Sequence, residues 1–350
     1  MSPVPGTADY SCAPAQVRNQ RTCGLTASWL TQGLDEASMG KASRTKVDSS
    51  RREKIAAQRA AARRAEQRRR ILIASGSIVA VLAIVVAFVV IKLNSKPAAS
   101  NSSNGPTGAA LSSVVSQVTS VPASTLDTVA DGGGSVTAKP QTISGPALTA
   151  NGKPEMLYIG AEYCPYCAAE RWAMIVALSR FGTFSGLATR HSAAANGNGQ
   201  AEIYPNTPTF TFANATYTSQ YLTFSTVEEE TNIPNSATGT YTQLQKPTSA
   251  QQALISKYDS PPYVSSAATG AIPFVDFGNK YLISGASYTP QVLAGLSWAT
   301  IAADLSNPAS PVAKAIDGTA NYITAAICQL TGNQPASACT ATVKSLESQI

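Results

Sequence analysis

The chain has 350 residues, room for roughly two domains of about 150 each. Apolar residues make up 44%, enough for a core, while charged residues reach only 13% and the single histidine, His191, excludes a multi-histidine metal site and argues against a Ser-His-Asp hydrolase. The net charge of +6 is concentrated: residues 41–70 carry twelve Lys or Arg against three acids, residues 94–350 eleven against fourteen, so a broadly basic nucleic-acid-binding protein is excluded.

Residues 1–38 are polar and show no clear period, and Met39 is a natural start for the basic segment behind it. The expectation is that residues 1–38 form an upstream extension that is not made in the cell. Residues 39–70 are a basic cytoplasmic segment, of which residues 51–70 are Ala-, Arg- and Gln-rich and expected to be helical. Ile71 to Ile91 is then a 21-residue run without a charge. As a helix it spans about 31 Å, the thickness of a bilayer core, and reads as one transmembrane helix. Five arginines stand in RRAEQRRR before it and only Lys92 and Lys96 close after it. The positive side stays inside, so the N-terminus is cytoplasmic and the C-terminal domain extracytoplasmic, at the cell membrane.

Residues 94–135 begin as a Ser/Asn/Gly/Pro linker, expected to be flexible, with a short helix carrying Val114, Val115, Val118 and Val121. Residues 155–161 predict a buried strand entered by the turn Asn151-Gly152-Lys153-Pro154. Cys164-Pro165-Tyr166-Cys167 follows, and AAERWAMIVALSRF after it predicts a helix with Trp172 in the core and Arg171 off the apolar face. Residues 203–242 hold eleven Thr and seven aromatics, strand composition, with Glu228-Glu229-Glu230 expected as a solvated edge. Residues 249–258 predict a helix capped by Ser249, and 272–284 a hairpin turning at Gly278-Asn279, with Asp276 facing solvent or the active-site side of the sheet. Residues 290–305 and the region from about 311 predict helices; Trp298 is expected in the core and His191 on the surface or in a loop.

The six cysteines fall in three pairs: Cys12 and Cys23, Cys164 and Cys167, Cys328 and Cys339. Cys164 sits where a strand ends and a helix begins. Free N–H groups and the helix dipole favour an anion there, so its thiol is expected to be the more acidic and more exposed of its pair and the nucleophile, with Cys167 resolving one turn further in. Pro165 suits a first helical turn. A structural disulfide, a zinc or copper site and coincidence are the competing readings. Cys328 and Cys339 lie in the oxidising compartment and are expected to form a structural disulfide.

MLYIGAEYCPYC, from Met156 to Cys167, resembles the strand and active-site segment of the thioredoxin superfamily, and Cys-Pro-Tyr-Cys is the tetrapeptide of glutaredoxins. Ile272-Pro273-Phe274 matches the position of that superfamily's cis-proline, so the resemblance gives Pro273 a place in shaping the substrate groove. Where thioredoxins bury an acid, six residues before the first cysteine, stands Tyr158, and neither Glu155 nor Glu162 matches. From about Met39 onward the chain resembles an uncharacterised family of bacterial and archaeal membrane-anchored thioredoxin-like proteins (domain of unknown function 929). The resemblance implies an α/β, thioredoxin-like domain at 140–310 with an insert at about 192–270 and a helical extension at 311–350, tethered by the one N-terminal transmembrane helix. It implies thiol–disulfide exchange at Cys164 and Cys167 on exported thiol proteins or a redox partner, with no organic cofactor. The rival is a non-catalytic module that binds a partner protein or copper at the outer face of the membrane.

Overall fold

The computed structural model describes residues 105–350. Residues 1–38, the basic segment 39–70 and the apolar span 71–91 lie outside the described residues; among those described, no helix is long and apolar enough to cross a membrane.

Two helices come first, α1 (Gly108–Thr119) and α2 (Ala123–Val129). Val114 and Val118, four apart, are buried on one side of α1, and Leu126 and Val129 on one side of α2. The later part of the segment expected as a linker is therefore docked helix, because its spaced valines have a core to cover. Strands β1 (Gln141–Thr142), β2 (Thr149–Ala150) and β3 (Lys153–Gly160) lead into α3 (Pro165–Leu178). Short strands β4 (Gly182–Ser185), β5 (Ala188–His191), β6 (Pro208–Thr211) and β7 (Thr216–Ser219) precede β8 (Thr223–Glu228). A hairpin of β9 (Glu230–Asn235) and β10 (Thr240–Gln243), helix α4 (Ser249–Tyr258) and a hairpin of β11 (Phe274–Phe277) and β12 (Tyr281–Ser284) follow. Helices α5 (Trp298–Asp304), α6 (Pro311–Thr331) and α7 (Ala341–Leu346) complete the chain.

The fold is mixed α/β around a mixed sheet. Its order is β1-β12-β11-β3-β8, with β2 pairing the first residues of β3; β8 runs parallel to β3 and the other neighbours are antiparallel. Central β3 is buried on both faces, which is why it reads as a continuous apolar run. Met156 and Tyr158 face the larger core with Val275 and Phe277, Trp172 of α3 and Ile316 and Ile323 of α6. Leu157 and Ile159 face the opposite side with Phe274, Leu282 and Tyr258 of α4.

Several expectations are corrected. Within the segment 192–270 expected as an insert, β8 is a strand of the main sheet. Helix α6 of the expected extension is part of the core, buried from Val312 to Cys328 along most of its length. The 290–305 helix is broken into a 3-10 turn at Pro290–Leu293 and α5, because Gly295 takes φ 72° and Ser297 caps a new start. Thr248, not Ser249, caps α4, in a reciprocal capping box with Gln251. Asp276 is fully buried: its strand is covered on both faces, so alternation does not bring it to solvent. The 272–284 hairpin turns at Gly278 and Asn279, both at positive φ. His191 ends β5 with its ring 4.4 Å from that of Trp298, which is buried, as is Trp172.

Cys328 at the end of α6 and Cys339 just before α7 form a disulfide, with Cα atoms 5.8 Å apart. Closing a loop with a sequence separation of 11 is worth about 3 kcal/mol on chain-entropy grounds. The double variant Cys328→Ala/Cys339→Ala should unfold at correspondingly lower urea concentration. An unchanged midpoint would show that the bridge adds nothing to the fold.

Candidate thiol site

Strand β3 ends at Gly160 and the chain turns through Ala161 to Tyr163 before α3 begins at Pro165. Cys164 is the N-cap of α3, and its Sγ accepts the Cys167 N–H at 3.2 Å, a bond that serine or aspartate side chains make at other helix starts. The Cys164 thiol points at the carbonyl of Ile272, 3.6 Å away, beside Pro273, whose peptide bond is cis and whose ring is buried. The two cysteines are free thiols, and Pro273 stands next to the backbone carbonyl that Cys164 faces.

The two thiols are unlike. Burial works against a charge on Cys164, but the hydrogen bonds it accepts from the Cys167 thiol and backbone N–H, together with the charge of Arg171, outweigh burial and hold it below the ordinary thiol value. Cys167 is pushed well above that value by burial, by donating to Cys164 and by the neighbouring sulfur's charge, with Arg171 pulling the other way. Cys164 is only 4% exposed and Cys167 not at all, so the N-capping thiol is more enclosed than a helix start alone implies.

The β5–β6 connection and the β9–β10 hairpin pack against the residues that flank the cysteines. The Glu162 N–H donates to the Glu230 carbonyl at 2.8 Å, and the Ala193 N–H to the Tyr163 carbonyl at 2.9 Å. The Tyr163 ring stacks on Tyr241 at 4.1 Å, and Tyr166 meets Tyr204 edge-on at 5.9 Å. Tyr166, 37% exposed, forms the lip of the site.

Beneath the turn lies an ion pair that the residue pattern did not suggest. Arg171, one helical turn after Cys167, is fully buried; its Nε and Nη2 donate to Glu228 at 2.9 and 2.6 Å. Glu228, expected on a solvated edge, is fully buried as well, because parallel pairing of β8 with β3 sets it opposite Gly160. It also accepts the Phe212 N–H at 3.2 Å and receives the Tyr158 hydroxyl at 3.5 Å. A Cβ on Gly160 would come within 2.2 Å of that hydroxyl and 3.0 Å of the Cys167 sulfur, so only glycine fits between them. A buried carboxylate therefore does lie behind the cysteines, supplied by β8 rather than by β3. The one local signal for it is the four-residue spacing of Cys167 and Arg171 on a helix that is otherwise apolar around that face. Glu170, also on α3, accepts the Ser287 N–H and hydroxyl at 2.8 and 3.0 Å.

Cys328 and Cys339 belong to the α6–α7 end of the fold and form no part of this cluster. Ile71 to Ile91 lies outside the described residues. A family model described as a domain of unknown function (DUF929) matches residues 139–329, more than half of the chain, and the chain belongs to that family. No curated protein and no solved structure matches it.

Proposed function

We propose that this member of the DUF929 family is a membrane-anchored, extracytoplasmic thiol–disulfide oxidoreductase with a thioredoxin-like domain, acting on exported thiol proteins or a redox partner. The observation that carries the reading is the asymmetry of the C-x-x-C pair: an N-capping Cys164 held toward the thiolate and a Cys167 held toward the thiol. In reduction of a substrate, the Cys164 thiolate attacks one sulfur of the substrate disulfide. A Cys164–substrate disulfide forms and the other substrate sulfur leaves as a thiolate, which takes a proton. Cys167 then loses its proton and attacks the Cys164 sulfur, closing Cys164–Cys167 and releasing the second substrate thiol. The chain has lost two electrons and the substrate has gained them; oxidation of a dithiol runs the same steps backwards. The anchor is the apolar run Ile71 to Ile91, with the arginine-rich flank supporting an outward-facing domain.

Insulin reduction driven by dithiothreitol tests the reading. The full chain should accelerate it, and Cys164→Ser should return the rate to that of dithiothreitol alone, because serine offers no thiolate at neutral pH. Equal rates with and without the chain would refute the exchange activity and favour the binding-module reading.

A further inference from the structure

We propose that Arg171 is a positioning residue for the thiol chemistry: held beneath the C-x-x-C turn by Glu228, its guanidinium supplies the positive charge against which the two cysteines ionise. The inference rests on the exchange activity proposed for this site and names what tunes it.

Three observations place the charge. Arg171 follows Cys167 by four residues on α3, so the two side chains share a face of the helix. Its Nη2 donates at 2.7 Å to the carbonyl of Ala161, the same carbonyl that accepts the Cys164 N–H at 3.3 Å, which ties the cation to the turn that carries the nucleophile. The guanidinium carbon lies 5.7 Å from the centre of the Tyr158 ring, and the Tyr158 hydroxyl and the Cys167 sulfur crowd the same space over Gly160.

Glu228 orients the guanidinium without using all of it. The carboxylate takes Nε and Nη2, while Nη1, also buried, has no hydrogen-bond partner among the described residues. The positive end of the pair is the end tethered to the cysteine turn. At full burial a charge is little screened, so a cation here acts more strongly on the sulfurs than one at the surface. The other charged groups around the turn are Glu162, bridged at 3.2 Å to the part-exposed Arg190, and Glu202 and Glu230 near Tyr163. The helix start alone is a weakened source, because Pro165 has no N–H to offer.

The test is pH-dependent alkylation of the reduced full-length chain, read by mass spectrometry at Cys164 and Cys167. Arg171→Met/Glu228→Leu replaces the pair with apolar groups, an exchange that folds tolerate. It should raise the Cys164 titration by about one pH unit, about tenfold less thiolate at a pH below both midpoints. Arg171→Lys should stay close to the parent. Glu228→Gln keeps the cation and removes its counter-charge, so it should shift Cys164 the opposite way, downward. A role confined to structure would move both variants in the same direction. The assignment is overturned if the double variant titrates with the parent, or if Glu228→Gln raises the midpoint. Insulin turnover is not the readout, so a chain that titrates as expected but fails to reduce insulin would refute the exchange activity and leave Arg171 as the tuning charge.

Discussion

Glu228→Leu should destabilise the folded chain by about 3–5 kcal/mol, the range for removing one partner of a buried ion pair. The leucine leaves Arg171 fully buried with Nε without its acceptor and Nη2 with only the Ala161 carbonyl. It also strips the Phe212 N–H of the oxygen it donates to at 3.2 Å. Packing a leucine in place of a carboxylate returns only part of this, since stranding a charged donor is the larger effect. Adding Arg171→Met should recover most of the loss, because the double variant has no uncompensated charge. Urea unfolding of the parent, the single variant and the double variant measures all three. A single variant as stable as the parent would mean that Glu228 is solvated and that β8 does not sit in register against β3.

The parts of this site that were legible in the sequence are the local ones. A strand, a turn and a helix N-terminus could be read at 153–178 because apolar runs, Pro165 and the cysteine spacing act within a few residues of one another. The β11–β12 hairpin was legible for the same reason, through Gly278-Asn279. Glu228 was not, since three consecutive glutamates look like a solvated edge and only a parallel pairing across some seventy residues buries the first of them. Asp276 failed similarly: its alternation with Val275 and Phe277 gives a correct face, but whether that face meets solvent or α4 is decided by the helix that covers it. Arg171 fell between the two. Its spacing from Cys167 is local, yet an arginine on a helix is ordinarily assigned to solvent, and only its distant acceptor keeps it inside.

Asp317→Asn should leave stability unchanged below about pH 4 and exceed the parent by a growing margin as pH rises from there to about 8. Burial pushes the Asp317 carboxyl, on α6, up to about 8, and neither of its oxygens has a hydrogen-bond partner among the described residues. Burial likewise raises Glu170 on α3 to about 7, against the pull of its bonds from Ser287, and Asp276 on β11 to about 7, against its bond from the Asn279 N–H. All three pKa values are higher folded than unfolded, so between about pH 4 and each folded value the native state binds the extra proton. Stability is therefore fully present below about pH 4 and falls as pH rises from there to about 7 for Glu170 and Asp276 and to about 8 for Asp317, with each group adding a slope of about 1.4 kcal/mol per pH unit within its window and none above it. Asparagine keeps the shape of Asp317 and cannot ionise, so it removes one of these slopes and should gain on the order of a few kcal/mol at about pH 8. Urea midpoints of parent and variant at about pH 4.5, 6 and 8 decide it. A parent whose stability stays level or rises across that range, or a variant that gains nothing at the alkaline end, would show that these carboxyls are not buried as neutral acids. The consequence reaches the thiols, because Glu170 stands on the helix that Cys164 caps and Asp317 on the helix packed against it. Raising the pH favours the Cys164 thiolate and also charges the carboxyls that support its helix.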